Sequence, residues 1–239
     1  MATRTNSLGQ PIGNHVVDWT PPPHPPGKVL AGRYCRVEPL DRAHHAAHLF
    51  DANSRDVEGR NWTYLSVGPF ASHEDYTRWV AEVAQSDDPQ FYAITVDDRA
   101  VGVAAYLRIM PAAGSIEVGH INFSPLLQRT FAATESMFLM MQYAFALGYR
   151  RYEWKCDALN APSRAAAQRL GLSFEGVFRQ ALVYKDRNRD TAWYATIDRE
   201  WPALRHAFER WLDPSNFDQH GQQRVSLSTL TAPLLVSRG

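Results

Sequence analysis

The chain has 239 residues, enough for one substantial domain with extensions or at most two small domains. Its 25 basic residues balance its 25 acidic ones, so no overall charge draws the protein to nucleic acid or to an anionic membrane. Its two cysteines, Cys35 and Cys156, cannot make a disulfide scaffold, and no Cys/His cluster has the spacing of a zinc site. The start lacks a signal-peptide pattern, and no apolar run approaches the roughly 20 residues of a membrane helix. We therefore expect a cytoplasmic protein with no metal site, no membrane span and no nucleic-acid partner.

The first 30 residues differ from the rest because they are dense in proline. Five prolines fall within six positions, at 21, 22, 23, 25 and 26. Proline cannot donate a ladder hydrogen bond and favours extended polyproline geometry. This pattern predicts either a strap lying over the domain or a PxxP ligand for a partner. We expect a Pro-rich extension over 1–30, one domain over 31–212 and a tail over 213–239.

The domain alternates between period-2 and period-3.6 patterns. Side chains that can cap a helix stand at Asp41, Ser72 and Asn160. Gly148 is placed to end a long helix with a broad apolar face. Predicted strands are 33–39, 91–96, 100–110, 116–123, 151–157, 174–183 and 191–197; predicted helices start at 41, 72, near 130, 160 and 198. This order indicates a mixed α/β (α+β) fold with a mostly antiparallel sheet, and the tail has no strong period.

The segment from 116 to about 147 reads as strand, polar link and helix. A helix N-terminus presents unpaired N–H groups and a positive partial charge, which suits phosphate. The helix start carries small side chains that let a diphosphate approach the backbone: Thr130, Ala132, Ala133, Thr134 and Ser136. Small side chains also relieve crowding where a helix meets a sheet, so the segment by itself leaves both interpretations open.

Further motifs follow this segment in order. They are Glu117-Val-Gly-His120, Gln128-Arg-Thr-Phe-Ala-Ala-Thr-Glu135, Tyr143-Ala-Phe-Ala-Leu-Gly148, Lys155-Cys-Asp-Ala-Leu-Asn160, Ser163-Arg164, Arg169-Leu-Gly171, Phe174-Glu-Gly-Val-Phe-Arg179, Arg189-Asp-Thr191 and Glu200-Trp-Pro202. With these motifs, the stretch from Ile116 to Trp201 resembles the RimJ/RimL-like branch of the GNAT acetyltransferases. The resemblance implies the GNAT fold, a mixed and mostly antiparallel sheet flanked by helices. It also implies transfer of an acetyl group from acetyl-CoA (CoA) to a primary amine of a small molecule, an amino acid or a peptide N-terminus.

The resemblance also implies where the cofactor lies. In the family, a strand with a bulge meets the acyl-CoA, the next strand splays away, and the phosphate loop follows. The implied cofactor residues are Ile121, Asn122, Phe123, Gln128, Arg129, Thr130, Phe131, Ala132, Ala133, Thr134, Glu135, Asn160 and Ser163. Phe131 departs from the family's loop, which reads Gln/Arg-x-x-Gly-x-Gly/Ala, because it replaces the middle glycine. Glycine there allows close approach to phosphate, so a non-catalytic, acyl-CoA-binding protein is the alternative.

Three residues are candidates for catalysis. His120 has the intrinsic pKa of a base near neutral pH, although a satisfied sheet histidine is the alternative. Glu117 would need a water relay or a raised pKa. The two stand three apart on one strand and so point to opposite faces, unless a bulge resets the alternation. In similar enzymes the counterpart of Ser163 is the candidate partner of the leaving thiolate; a local hydrogen bond is the alternative. Tyr184 is a further acid by analogy.

The acceptor is not specified by the sequence. The bulky stretch from Asn61 to Phe70 lies between the first two predicted helices, where this fold shapes its acceptor pocket, although a packed loop is the alternative. Four arginines, Arg164, Arg169, Arg179 and Arg189, can meet the acceptor or the cofactor's phosphate, and the sequence assigns none of them a role. Dimers are common among similar proteins, so the resemblance allows a homodimer, and the sequence leaves the oligomeric state open.

Overall fold

A computed structural model describes residues 4–239, and a mixed sheet of eight strands forms the centre of that range. The strands are β1 (Arg4–Thr5), β2 (Pro11–Ile12), β3 (Leu30–Ala31), β4 (Arg36–Pro39), β5 (Gln90–Val96), β6 (Arg99–Met110), β7 (Ser115–Phe123), β8 (Arg151–Asp157), β9 (Ser173–Tyr184) and β10 (Arg187–Ile197). The helices are α1 (Arg42–Ser54), α2 (His73–Val83), α3 (Phe131–Ala146), α4 (Ala161–Arg169), α5 (Trp201–Leu212) and α6 (Leu227–Thr231). The sheet runs β3-β4-β5-β6-β7-β8-β10-β9, and β1 pairs with β2 in a separate ribbon.

Side-chain caps begin the helices where the sequence predicts them. The side chain of Asp41 accepts the backbone N–H of His44, and Ser72 accepts that of Asp75. Each cap satisfies one of the N–H groups that a helix start leaves unpaired. Gly148 follows α3 with φ 99°, and the N–H of the next residue, Tyr149, bonds back to the carbonyl of Ala144. Those features are typical of a glycine-terminated helix.

Local turns explain why the sheet is mostly antiparallel. Asp97 and Asp98 have φ of 48° and 59° and join β5 to β6 in a tight hairpin, as the sequence predicts. Every neighbouring pair in the sheet is antiparallel except β7 and β8, which pair in parallel and are connected through α3. The predicted α/β class with a mostly antiparallel sheet flanked by helices is confirmed.

Two hydrophobic layers lie against the two faces of the sheet. On one face, Val103 and Ala105 of β6 pack with Leu49 of α1 and Val80 of α2. On the other face, Val118 and Trp154 pack with α3 and α5. We call these the α1/α2 side and the α3 side, and residues alternate between them along each regular strand.

The N-terminal extension lies over the domain. The hydroxyl of Tyr149 donates to the carbonyl of Pro23 at 3.1 Å, and that of Tyr143 donates to Pro26 at 2.7 Å. The side-chain amide of Gln90 donates to the carbonyl of Pro25 at 2.9 Å. Proline carbonyls are free to accept because no helix or ladder uses them, so three tyrosine and glutamine donors hold the segment in the manner of a strap.

Several element boundaries differ from those the sequence predicts: β10 begins at Arg187 instead of 191, and α5 begins at Trp201 instead of 198. The predicted strand 33–39 begins only at Arg36, because its first three residues belong to the turn between β3 and β4, whose backbone N–H groups bind a glutamate of α3. The tail, predicted to have no strong period, contains the short helix α6, whose N-cap Ser226 accepts the backbone N–H of Thr229. No helix within residues 4–239 combines the length and the apolar character needed to cross a bilayer.

Candidate active site

A bulge interrupts β7 near its end. Gly119 pairs with Ala105 and Asn122 with Val103, so two residues of β7, His120 and Ile121, stand opposite the single residue between those partners on β6. His120 has a φ of 47°, outside the range of a regular strand. The bulge has a consequence for orientation, because it shifts the alternation of side chains by one residue.

The shift places Glu117 and His120 on the same side of the sheet. Ala105 and Val103 both belong to the core on the α1/α2 side, so their partners Gly119 and Asn122 face that side too. Glu117, two residues before Gly119 on the regular part of the strand, shares its face. The ring of His120 lies 5.1 Å from that of Phe91, in the same core. Glu117 and His120 can share a face only if a bulge resets the alternation of side chains between them. The structure contains that bulge.

The sheet splits beyond this point. Parallel pairing of β7 with β8 runs from Ser115 opposite Arg151 to Val118 opposite Trp154 and then stops. A cleft of about 1640 Å³ lies between the two strand ends. Trp154 and Cys156 face the α3 side, whereas Lys155 and Asp157 alternate to the α1/α2 side. The cleft therefore connects the two faces of the sheet through the gap.

On the α3 side, the cleft reaches the start of α3. Thr130 caps the helix by accepting the N–H of Ala133 at 3.1 Å, and Arg129 before it has a φ of 62°. The guanidinium of Arg169 donates twice to the hydroxyl of Thr134, at 3.1 and 3.2 Å. Burial lowers the pKa of Arg169. A fixed cation thus stands beside the positive end of a helix.

Most of the predicted cofactor residues lie together along this cleft. Those that line it are Ile121, Asn122, Phe123, Gln128, Arg129, Thr130, Phe131, Ala133, Thr134, Asn160 and Ser163. The amide of Gln128 donates to the carbonyl of Phe123 and to the side chain of Asn61, both at 2.8 Å. Gln128 therefore joins the α3 start to the bulged strand and to the loop after α1.

Ala132 and Glu135, both predicted to contact a cofactor, do not border the cleft. Ala132 is buried in the core on the α3 side. The carboxylate of Glu135 accepts the backbone N–H groups of Arg33, Tyr34 and Cys35 at 2.8, 2.6 and 3.0 Å. Because a carboxylate with three backbone donors is already satisfied, the structure gives Glu135 a role in holding the turn between β3 and β4. We leave both residues out of the site.

Phe131, the residue in the place of the family's glycine, is packed among aromatic rings. Its ring centroid lies 4.4 Å from Phe217, 5.3 Å from Tyr34 and 6.1 Å from Trp211. Trp211 and Phe217 come from the end of the chain, where Gln223 also borders the cleft and accepts the indole N–H of Trp211. The tail thus forms one wall of the cleft beside the start of α3, which sequence reasoning missed because the tail has no period.

Asn160 and Ser163 occupy the start of α4. The side chain of Asn160 accepts the N–H of Ser163 at 3.1 Å, so it caps the helix while bordering the cleft. The hydroxyl of Ser163 accepts the indole N–H of Trp154 at 3.0 Å. Burial raises the pKa of the neighbouring Cys156 thiol, and a hydrogen bond from Ser163 opposes that rise. Ser163 can therefore donate to a sulfur atom within the cleft.

On the α1/α2 side, His120 is neutral near pH 7. Burial is the main cause that lowers its pKa, and the positive charge of Arg189 lowers it further. Tyr184 also lines the cleft, and its hydroxyl donates to Asp157 at 2.8 Å. Burial, followed by that hydrogen bond, raises the pKa of Tyr184 to about 12. The tyrosine therefore keeps its proton.

A buried ion cluster centred on Lys155 ties β7 to β8. Its Nζ lies 2.9 Å from a carboxylate oxygen of Glu117 and 2.6 Å from one of Glu153, and 3.6 Å from the ring centroid of Trp193. Burial raises the pKa of Glu117, an effect that Lys155 and then Arg108 oppose. Sequence reasoning missed this role of Lys155. The sequence does contain a signal for this role: Glu153, Lys155 and Asp157 alternate along β8, which places the three charged side chains on one face of the sheet.

A loop after α1 and the β9–β10 hairpin close the cleft on the same side. Nζ of Lys185, at the hairpin tip, donates to the carbonyls of Trp62 at 2.9 Å and Gly68 at 2.6 Å. The hydroxyl of Tyr64 reaches across the cleft to the carbonyl of Leu159 at 3.2 Å. From the predicted aromatic stretch, Asn61, Tyr64 and Leu65 border the cleft, whereas Trp62 and Phe70 pack with α2. Within residues 4–239, no group of three His, Cys, Asp or Glu is placed to hold a metal.

Comparison with known proteins agrees with this geometry. A GCN5-related N-acetyltransferase from Brucella melitensis is 47% identical and superposes with a TM-score of 0.88, covering 90% of this chain and 99% of its own. A protein described as a probable GNAT-family acetyltransferase from Chromobacterium violaceum is 40% identical, with a TM-score of 0.76 over 81% of this chain and 98% of its own.

More distant structures share the fold alone. RimL, a ribosomal L7/L12 α-N-protein acetyltransferase, is 21% identical and has a TM-score of 0.61 over 71% of this chain and 94% of its own. That identity does not place the chain in the RimJ/RimL branch. No curated protein matches the chain. The model of the acetyltransferase (GNAT) domain matches residues 36–173, more than half of the 239 residues. The chain therefore belongs to the GNAT acetyltransferase family.

Proposed function

We propose that this protein transfers an acetyl group from acetyl-CoA to a primary amine of a small molecule, an amino acid or a peptide N-terminus. The observation that carries the proposal is the gap between β7 and β8. This gap connects the N-terminus of α3, which has the features of a phosphate site, to the neutral side chain of His120 on the α1/α2 side. A donor and an acceptor can therefore enter from opposite faces and meet at the bulge.

The α3 side fits an elongated thioester with a diphosphate. The first turn of α3 offers backbone N–H groups and a positive partial charge. Arg129 and Arg169 border the same end of the cleft and add two formal charges. GNAT acetyltransferases generally use acetyl-CoA, whose thioester supplies the activated acyl group. The cofactor residues in the proposal are those that border the cleft, without Ala132 and Glu135.

On the α1/α2 side we assign the base to His120. The acceptor must lose a proton as its amine attacks, and a buried neutral imidazole beside the gap can take it. Glu117 is less suited, because its carboxylate is already engaged by Lys155 at 2.9 Å and by Arg108 at 3.4 Å. We give Glu117 the task of holding β7 and β8 at the split. The hydroxyl of Ser163 donates a hydrogen bond to the departing thiolate and stabilises its negative charge.

A second candidate function rests on Phe131. A packed phenylalanine in place of a glycine fits a protein that holds acyl-CoA without catalysing transfer, or that holds it weakly. Both candidates predict the same fold. They differ in whether the thiol of CoA is released when an amine is added.

Two measurements test the proposal. Isothermal titration of the full chain with acetyl-CoA should give a micromolar Kd, and a chromogenic thiol reagent should detect CoA release with a panel of amines. His120→Gln should leave the Kd for acetyl-CoA unchanged and lower kcat by roughly 100-fold or more. Binding without release for the whole amine panel would favour the non-catalytic candidate, and absence of binding would exclude both.

From the family resemblance we also propose a cytoplasmic location and a homodimer. Peptide N-termini stay among the proposed acceptors because the motifs between Ile116 and Trp201 resemble those of the RimJ/RimL-like branch. Light scattering after size-exclusion chromatography would test the dimer: a mass near twice 27.0 kDa is expected, and a mass near the single value would reject it.

A further inference from the structure

Arg189 lies on the wall of the cleft on the α1/α2 side, from which the proposed acceptor enters. On β10, Thr191 pairs with Asp157 and Trp193 pairs with Lys155, and Lys155 touches Glu117 on the α1/α2 side. Arg189 precedes Thr191 by two residues and borders the same cleft. These residues therefore form a continuous wall opposite the bulged part of β7.

The guanidinium of Arg189 is held in place without a counter-ion. Its Nε–H donates to the hydroxyl of Thr191 at 3.1 Å, and its central carbon lies 5.8 Å from the ring centroid of Tyr184. Arg108 and Lys155 each lie within ion-pair distance of a glutamate. For Arg189, residues 4–239 supply no carboxylate at that distance. Its two terminal nitrogens remain available for a bidentate partner.

A half-buried cation without a counter-ion calls for an anion from outside the chain. Removing a charge from water is costly unless that charge is paired. The positive field of Arg189 reaches His120, since it contributes to the lowered pKa of the imidazole. The available charge and the residue assigned as the base also border the same cleft.

Two further polar groups near this wall lack partners. The indole N–H of Trp193 and both amide atoms of Asn122 are buried and have no hydrogen-bond partner among residues 4–239. Asn122 is 4% exposed and borders the cleft immediately after the bulge. Buried polar atoms are rarely left unpaired in native proteins. Trp193 and Asn122 thus offer donors, and an amide oxygen, to a polar ligand placed between β7 and β10.

We infer that the acceptor is an amine that also carries a carboxylate, of the free amino-acid type, and that Arg189 binds this carboxylate while His120 faces the amine. The inference rests on the proposed function and narrows its acceptor to small amino acids and related amino carboxylates. A protein N-terminus has no free carboxylate close to its amine, so it fits this wall less well. The two terminal nitrogens of the Arg189 guanidinium can bind both oxygens of a carboxylate, and an acceptor without that carboxylate lacks this contact.

The test compares matched acceptors. Each L-amino acid of a panel is assayed beside its own carboxamide, with CoA release as the readout. The amine of a carboxamide is the weaker base and is more often unprotonated, so chemistry alone favours the carboxamide. For the wild type we expect kcat/KM to be roughly 10- to 100-fold higher for at least one amino acid than for its amide, as for a charge-assisted pair.

Three variants locate the origin of that preference. Arg189→Gln should abolish it mainly through a higher KM, with the Kd for acetyl-CoA unchanged, and Arg189→Lys should restore only part of it. Arg179→Gln is the control, because this arginine of β9 is exposed and does not border the cleft; it should behave as wild type.

The outcomes separate the two proposals. If acetyl-CoA does not bind, the proposed function falls and the inference falls with it. If acetyl transfer occurs but the amides are as good as the amino acids, if only other amines react, or if Arg189→Gln keeps the preference, the inference alone is overturned.

Discussion

The ring of Phe131 joins the start of α3 to two segments outside the matched domain, and removing it should loosen that junction. Phe131→Ala deletes contacts with Tyr34, Trp211 and Phe217 at centroid distances of 5.3, 6.1 and 4.4 Å. An aromatic pair contributes about 0.5–1.5 kcal/mol, so three pairs give roughly 1.5–4.5 kcal/mol. Alanine regains a few tenths through its higher helix propensity. We expect the free energy of unfolding to fall by about 2–3 kcal/mol.

Urea denaturation followed by tryptophan fluorescence measures this change, and limited proteolysis locates it. In Phe131→Ala, cleavage should become faster within 213–224, the segment that contains Phe217. Phe131→Leu is the matched control, because it keeps most of the apolar volume and should lose about half as much stability. A loss below about 0.5 kcal/mol in Phe131→Ala, or no change in cleavage of the tail, would refute the role of the ring as an anchor.

Two further predictions concern titratable groups on the α1/α2 side. The pKa of His120 lies below its ordinary value of 6.5. When kcat/KM is expressed per unprotonated acceptor amine, it should therefore be flat above pH 7 and fall as pH drops through that lowered pKa. An acid limb at or above pH 6.5, or one retained in His120→Gln, contradicts the assignment. Lys155→Met removes the cation between Glu117 and Glu153 and should cost about 3 kcal/mol of unfolding free energy at pH 7. Burial raises the pKa of Glu117, so this cost should shrink as pH falls and the carboxyl takes up a proton. The double variant Lys155→Met/Glu117→Gln should recover part of the lost stability. A cost that does not change with pH would contradict a charge-based origin.

Local signals explain which parts of the fold the sequence predicted well. Asp41 and Ser72 cap helices because their side chains satisfy N–H groups a few residues away, and such short-range bonding is visible in sequence. The late start of β4, at Arg36 instead of 33, was missed because the turn before it is bound by Glu135, about a hundred residues later in the chain. Periodicity does not record a contact of that range.

The candidate site shows the same division. The presence of His120 and Glu117 on one strand could be read from the sequence, but their common face depends on a bulge set by pairing with β6. The sequence also does not show that Arg189 lacks a carboxylate partner. The strand register brings Glu117 of β7 and Glu153 of β8 to Lys155, and not to Arg189. Residue type and spacing identify candidate groups, whereas strand register decides which of them meet.

Phe131 bears on how the cofactor end of the cleft works in this protein. The family's glycine permits close approach of phosphate to the backbone, but the N–H groups of the first helical turn remain whatever the side chain is. Here the aromatic residues that pack around Phe131 include Trp211, and the guanidinium of Arg169 lies 5.2 Å from the Trp211 ring centroid while donating to Thr134 in the first turn of α3. The ring cluster that accommodates the phenylalanine therefore also positions a cation beside the helix start. If the proposed function holds, the positive charge of Arg169, fixed by this packing, compensates for the close approach of phosphate to the backbone that is lost with the glycine.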